Sequence, residues 1–174
     1  MTQTRNGTNW NGVANVEQSI RLILEWLSWA AYAVAPLVLR IALAVSFFRS
    51  GLTKWDGFLE LSPTAAFLFE EQFKLHIFGG VYGLPAPDTM ALLDSVAEIV
   101  LPVLLVIGLA TRFSALGLLI MIGVIQLVVP EGWANFHLPW AAMALSIIAM
   151  GPGRLSLDYL INEVCRSRTS GGAA

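Results

Sequence analysis

The stretch that decides the fold is PLVLRIALAVSFF, residues Pro36–Phe48. It belongs to a longer apolar segment, residues 33–53, which reaches the roughly 20 residues that a helix needs to cross a bilayer core. Arg40 lies inside this segment, although a full charge in hydrocarbon costs at least about 2.5 kcal/mol. Arg40 therefore implies a partner, a water-filled cavity or a functional role.

The composition of the chain indicates an integral membrane protein of one domain. Hydrophobic residues make up 56% of the 174 residues and charged residues only 13%, against about 25% charged in soluble domains. The net charge of -2 and the absence of a basic run give no indication of a nucleic-acid partner. The single cysteine, Cys165, forms neither an internal disulfide nor a CxxC pair.

Hydropathy predicts an all-α fold, an integral membrane four-helix bundle in a membrane domain over residues 33–161. The predicted spans are residues 33–53, 88–109, 113–129 and 136–150. Before them, apolar residues at helical spacing predict an interfacial amphipathic helix over residues 16–32. Residues 1–15 are predicted to be disordered, and residues 162–174 to form a polar C-terminal tail.

A helical extracytoplasmic loop is predicted between the first two spans. Ser62 followed by Pro63 is typical of a helix N-cap with proline at the first helical position. The phenylalanines that follow predict a surface helix over the mouth of the bundle, with His76 in it and in contact with water. Glycines and prolines over residues 79–87 predict an irregular return to the second span.

The basic residues predict the orientation. Arg112, Arg154, Arg166 and Arg168 fall on one side of the predicted spans, and Lys54 and Lys74 on the other. By the positive-inside rule, both termini are expected to be cytoplasmic. The expected location is a bacterial-type inner membrane, which the chain crosses several times.

Four polar side chains from four predicted spans fall at similar depth. At a rise of about 1.5 Å per residue, Arg49, Asp94 and Gln126 lie roughly 8 to 9 Å from one membrane surface. His137 opens the fourth span near that surface. Intramembrane ionisable residues are expected to be functional, so these four form the candidate polar pocket.

A second set, Arg40, Lys54 and Glu98, is the candidate for intramembrane ion pairing. Arg40, Arg49 or Lys54 could pair with Asp94 and Glu98 and fix the register of the helices, and Glu98 is the expected counter-ion of Arg40. The alternative is a pocket for a quinone head group, an anion, a metal or a thiol compound. Two distant histidines and one cysteine make a poor dedicated metal site, so no metal ligands are assigned.

Five motifs carry a resemblance to a known family. They are Leu39-Arg40, FRSGLTK (48–54), EIVLP (98–102), GLATR (108–112) and GPGRLSLD (151–158). In this order they resemble the DoxX family of small four-helix integral membrane proteins, which is related to the small subunit of thiosulfate:quinone oxidoreductase. The resemblance implies a membrane module, in some members associated with redox or thiol-stress partners. The family's shared polar positions fall here on Arg40, Gly51, Lys54, Glu98 and Arg112.

Two functions are compatible with these observations. The first is a membrane subunit of a quinone- or thiol-linked redox system, an accessory subunit of an oxidoreductase. The chain carries no catalytic or cofactor-binding motif, so quinone is the candidate ligand and a redox or thiol-handling partner would carry the electrons. The alternative is a non-enzymatic membrane anchor, an assembly module, or a small-solute or metal-handling protein. The substrate and the oligomeric state stay open.

Overall fold

A computed structural model of the protein describes the backbone of residues 10–58 and 60–171, and side chains within these ranges from residue 15 to residue 168. The chain divides into two compact units, Met1–Ala35 and Pro36–Ala174. The second unit holds every site described below.

Six α-helices make up most of the described chain. They are α1 (Trp10–Leu52), α2 (Pro63–Phe67), α3 (Pro87–Ile107), α4 (Thr111–Val128), α5 (Leu138–Met150) and α6 (Leu157–Gly171). Three helical stretches are long and apolar enough to cross a membrane: Asn15–Leu52, Pro87–Ile107 and Thr111–Val128. The protein is therefore a helical membrane protein.

The N-terminal boundaries differ from the prediction. The expected border between an interfacial helix and a first span, at residues 32 and 33, falls inside α1. Alanines around Tyr32 favour a helix, and the nearest helix-breaking residue, Pro36, also lies inside α1. Of the segment predicted to be disordered, residues 10–15 belong to α1 and residues 1–9 lie outside the described residues. The predicted C-terminal tail is helical as well, since α6 covers it to Gly171.

The fourth predicted span corresponds to α5, which is shorter than the helices at the other three predicted spans. α5 has 13 residues, fewer than the roughly 20 that a complete span needs. It follows directly on a π-helical turn, Trp133–His137, so that the helical path begins at Trp133. A 3-10 turn, Pro130–Gly132, separates this path from the end of α4.

One apolar core joins α1, α3, α4 and α5. Its buried members include Leu43, Leu105, Leu118 and Ile147, one from each helix. The backbones of α1 and α3 come close at Gly51, where an added Cβ would lie 2.9 Å from Glu98 Cβ and 3.1 Å from the Glu98 carbonyl carbon. Glycine is thus required at residue 51 by the neighbouring helix.

The segment between α1 and α3, residues 53–86, is named the cap here. Its helical part is short: Ser62 accepts a hydrogen bond from Ala65 N at 3.2 Å, as an N-cap does, but α2 and the π-helical turn after it end at Gln72. The rest pairs as strands. They are β1 (Trp55–Gly57) with β2 (Glu60–Leu61) and β3 (Lys74–Ile77) with β4 (Gly80–Gly83), both pairs antiparallel.

Two details of the cap correct the prediction. His76 lies in β3 rather than in a helix, with Nδ1 3.2 Å from the Leu127 carbonyl oxygen at the end of α4. The expected irregular return is a hairpin, because Gly79 adopts a φ of 80° in the turn and lets two strands pair. Phe69 and Leu84 then pack on Ala91 of α3. The cap therefore covers the end of the helices where α3 begins, which is named the cap end.

The close approach at Gly51 yields the first prediction. Gly51→Ala is expected to lower the free energy of unfolding by about 1 to 3 kcal/mol, because the methyl group has to push α1 and α3 apart. Thermal unfolding in detergent measures the effect. Gly123→Ala in α4 is the control, since no atom lies within 4 Å of its added Cβ. A Gly51→Ala protein as stable as the control would contradict the close approach.

Candidate functional site

A cavity of about 620 Å³ lies between the cap and the helices at the cap end. Most of its wall is apolar, with aromatic rings from the cap and from the helices. The aromatic residues are Phe47, Phe69, Phe73, Phe136 and Trp140. The ionisable residues on the wall are Lys54, Asp94, Glu98, Glu131 and His137. The cavity is thus amphipathic, as binding sites for ring-shaped ligands commonly are.

Lys54 is the centre of an ion cluster on this wall. Its Nζ lies 2.8 Å from Glu98 Oε2 and also forms an ion pair with Asp94. Asp94 and Glu98 are four residues apart on α3 and therefore share one face. The ammonium group also lies 5.4 Å from the centre of the Phe69 ring. One cation thus holds two carboxylates of α3 and an aromatic ring of the cap.

The burial of this cluster sets its energetic importance. The Glu98 side chain is 3% exposed and that of Lys54 is 15% exposed. Removing one partner of a buried ion pair leaves an uncompensated charge and costs about 3 to 5 kcal/mol. The wall also carries more acid than base, because Glu131 adds a third carboxyl group while Lys54 is the one ammonium among the lining residues. This balance disfavours an anionic ligand.

His137 forms the second polar group of the cavity. Its Nδ1 lies 2.6 Å from Gln126 Oε1, and the Gln126 amide nitrogen donates to the Pro130 carbonyl oxygen at 3.2 Å. Because the second bond orients the amide, its oxygen faces the ring, and Nδ1 carries the proton of the first bond. In the neutral ring Nε2 is then a hydrogen-bond acceptor, and it packs against Gly132, where an added Cβ would lie 2.8 Å away. Gln126 acts on the cavity by orienting this ring.

Only some of the four residues of the predicted polar pocket line the cavity. Asp94 and His137 line the cavity, and Gln126 stands behind His137. Arg49 does not line it and is exposed. Ser46, Ser50 and Lys54, spaced four residues apart along the chain, face the cavity instead.

Arg40 is the clearest correction. It was expected to pair with Glu98, but Arg40 lies beside Gly108, ten residues further along the chain than Glu98 and just past the end of α3. Arg40 is fully buried, its Nη2 donates to the Leu155 carbonyl oxygen, and its Nε donates to the Pro36 carbonyl oxygen at 3.3 Å. The register of α1 explains the difference, because Arg40 and Lys54 are separated by nearly four turns. Glu98 is paired by Lys54 instead.

Around Arg40, the turn between α3 and α4 meets the loop after α5. The Asp158 carboxylate accepts hydrogen bonds from Ala110 N at 2.9 Å and Thr111 N at 2.8 Å, which caps α4. Burial alone would raise the pKa of Asp158, but the hydrogen bonds from Thr111 and Ala110 and the charge of Arg40 hold it below its ordinary value. This region is named the turn end.

Sequence reasoning missed three parts of the site. Phe69 and Phe73 were assigned to a surface helix, whereas they form part of the cavity wall. Glu131 lies between the third and fourth predicted spans, residues 113–129 and 136–150, and was not included in the candidate pocket. The capping role of Asp158 had no local signal, because its partners are 47 and 48 residues away in the chain.

The comparisons with known proteins identify the family of the chain. The family model of DoxX matches residues 35–131. An uncharacterized protein of Haemophilus influenzae is 34% identical over 152 residues, which covers 75% of this chain and 85% of that protein. No solved structure matches the chain.

The helices and the buried polar clusters define a multi-pass membrane protein of the helical class. The chain belongs to the DoxX family.

Removing the central cation tests the ion cluster. Lys54→Met is expected to destabilise the protein by about 3 to 5 kcal/mol, because Glu98 and Asp94 lose their counter-charge. Adding Glu98→Gln should recover part of this loss, since the deepest carboxylate is then neutral. Chemical unfolding in detergent measures both. Lys74→Met is the control, because the hydrogen bond of Lys74 to the Glu70 carbonyl oxygen is exposed to solvent. A double variant no more stable than Lys54→Met would contradict the pairing.

The pKa of Asp158 gives a pH-dependent prediction. A carboxyl group whose pKa is lowered on folding stabilises the protein when the pH is above the ordinary pKa of 3.8. This contribution is lost as the pH falls through the lower pKa of the folded protein. Asp158→Asn should therefore be less stable than the wild type at neutral pH, and the difference should shrink below about pH 4. Melting temperatures between pH 3 and pH 7 measure this. Asp56→Asn, at an exposed strand residue, should retain the wild-type profile.

Proposed function

We propose that the chain is a four-span membrane module whose cavity binds a ring compound of the quinone class, within a redox system whose electrons a partner carries. The observation that supports this most directly is the cavity itself. Its wall is mainly aromatic and aliphatic, and its ionisable groups are the ammonium of Lys54, the carboxyl groups of Asp94, Glu98 and Glu131, and the imidazole of His137. A quinone has an apolar ring with two carbonyl groups and suits such a wall.

The donors and acceptors fit both redox forms of this ligand class. The Lys54 ammonium can donate to a quinone carbonyl, and His137 Nε2 or a carboxylate can accept from a quinol hydroxyl. When bound, a quinone supplies two-electron, two-proton redox chemistry. The excess of carboxyl groups argues against the anion that the sequence left open, because an anion would meet net repulsion.

The proposed topology has α5 and the preceding helical turn as the fourth span. The path from Trp133 to Met150 shares the core with the three longer helices. Four spans return the chain to its starting side, so both termini would be cytoplasmic, in a bacterial-type inner membrane. Arg112, Arg154 and Arg168 at the turn end support this orientation by the positive-inside rule.

A structural role for the same residues is the second candidate. Gly51 brings α1 against Glu98, and Lys54, one turn further on, binds Glu98 and Asp94. Such an arrangement fixes the register of two helices. A module of this kind would anchor or assemble a partner protein without binding a ligand of its own.

Quinone binding by the purified protein separates the two candidates. Decylubiquinone and a short-chain menaquinone serve as probes, with tryptophan fluorescence as the signal. Gln126→Leu removes the group that orients His137 and should weaken binding about tenfold, the equivalent of about 1.4 kcal/mol for one lost hydrogen bond. Arg49→Gln is the control, because Arg49 does not line the cavity, and it should bind as the wild type does.

Two results would contradict the quinone proposal. One is the absence of saturable binding at concentrations comparable to membrane quinone. The other is a Gln126→Leu protein that binds both probes as tightly as the wild type and melts at the same temperature. Either result, together with a destabilised Lys54→Met protein, would favour the structural role.

A further inference from the structure

The C-terminal helix α6 carries an apolar stripe that nothing in the described protein covers. Leu157, Leu160, Ile161 and Val164 are spaced at i, i+3, i+4 and i+7, so they share one face of the helix. They are 41%, 57%, 49% and 52% exposed. The opposite face is polar and includes Asn162 and Glu163. A surface helix with this division has an apolar face that requires an apolar environment.

The start of α6 is fixed against the membrane-spanning part of the protein. Ser156 caps it, accepting a hydrogen bond from Tyr159 N at 3.1 Å. Asp158 in its first turn binds the backbone of the turn between α3 and α4, and its own N–H donates to the Gly108 carbonyl oxygen at 2.9 Å. α3 and α4 both have the length of a membrane span. Their connecting turn therefore lies at a bilayer surface, and α6 begins there.

The charges around the stripe indicate which kind of surface it meets. Arg154 precedes α6, and Arg168, seven residues after Ile161, lies on the side of the stripe. Basic residues beside an apolar stripe are typical of helices that lie in the interface of an anionic membrane, at about 1 kcal/mol per Lys or Arg near the surface. Four side chains are also a small area for a protein partner, since stable interfaces use about 20 to 30 residues on each side.

We propose that α6 is an amphipathic membrane helix, which lies in the leaflet next to the α3–α4 turn and binds anionic phospholipid head groups there. The apolar stripe enters the boundary between head groups and acyl chains, and the arginines contact phosphates. Arg40 contributes from within, because it holds the Leu155 carbonyl just before the helix. This inference is independent of what the cavity binds.

Spin-label accessibility in the full-length protein tests the placement of α6. Because the chain has a single cysteine, Cys165→Ser removes every native labelling site. One new cysteine is then added at a time and labelled. Leu160→Cys and Val164→Cys report on the stripe, and Asn162→Cys and Glu163→Cys on the polar face. In vesicles of phosphatidylethanolamine and phosphatidylglycerol, labels on the stripe should collide several-fold more with oxygen than with a water-soluble nickel chelate, and labels on the polar face should show the reverse.

Lipid composition and a stripe variant complete the experiment. In phosphatidylcholine vesicles at high salt, the oxygen preference at residues 160 and 164 should fall, because the head groups no longer attract the arginines. Leu157→Asn with Ile161→Asn should abolish the preference at residue 160 without lowering the melting temperature, since neither side chain belongs to the core. Equal exposure of all four labels to nickel would overturn the proposal. Immobile stripe labels shielded from both reagents would overturn it in favour of a second copy of the chain.

Discussion

Every ionisable side chain that the helices bury has to find its partner within the protein, because hydrocarbon offers none. Lys54 meets this constraint by binding Glu98 and Asp94 at the cap end. Arg40 meets it differently, through backbone carbonyls at the turn end. The two clusters lie at opposite ends of the same helices, so that each fixes the register of α1 against different neighbours. The cavity and the docking of α6 both depend on that register.

The cap gives the ion cluster around Lys54 its chemical environment. Phe69 packs beside the Lys54 ammonium and on Phe73, with ring centres 5.0 Å apart. His76 ties β3 to the end of α4. Without these contacts, the ion cluster would stand in open water, where ion pairs contribute little. With them, it becomes one polar wall of an otherwise apolar cavity, where charge and hydrogen bonding have a larger effect.

Much of the architecture was predictable from local sequence. The long apolar helices, the N-cap at Ser62 and the membership of the DoxX family follow from hydropathy, capping chemistry and short motifs. The shared face of Asp94 and Glu98 on α3 was also predictable, because residues four apart on a helix are neighbours. The strands of the cap were not. Strands of two to four residues carry too few alternating positions to be distinguished from a loop.

The sequence by itself determined that this protein is a helical membrane protein and that its buried charges need partners. The composition and the length of the apolar segments place the chain in a bilayer. Burying an unpaired charge is costly in any fold, so the need for partners is also a property of the sequence. Only the tertiary structure decided the pairing. Lys54 rather than Arg40 reaches Glu98, Arg49 points away from the cavity, and Asp158 caps a helix 47 residues earlier in the chain. Rotation around a helix axis and contacts between distant segments decide these partners, and neither is encoded in local spacing.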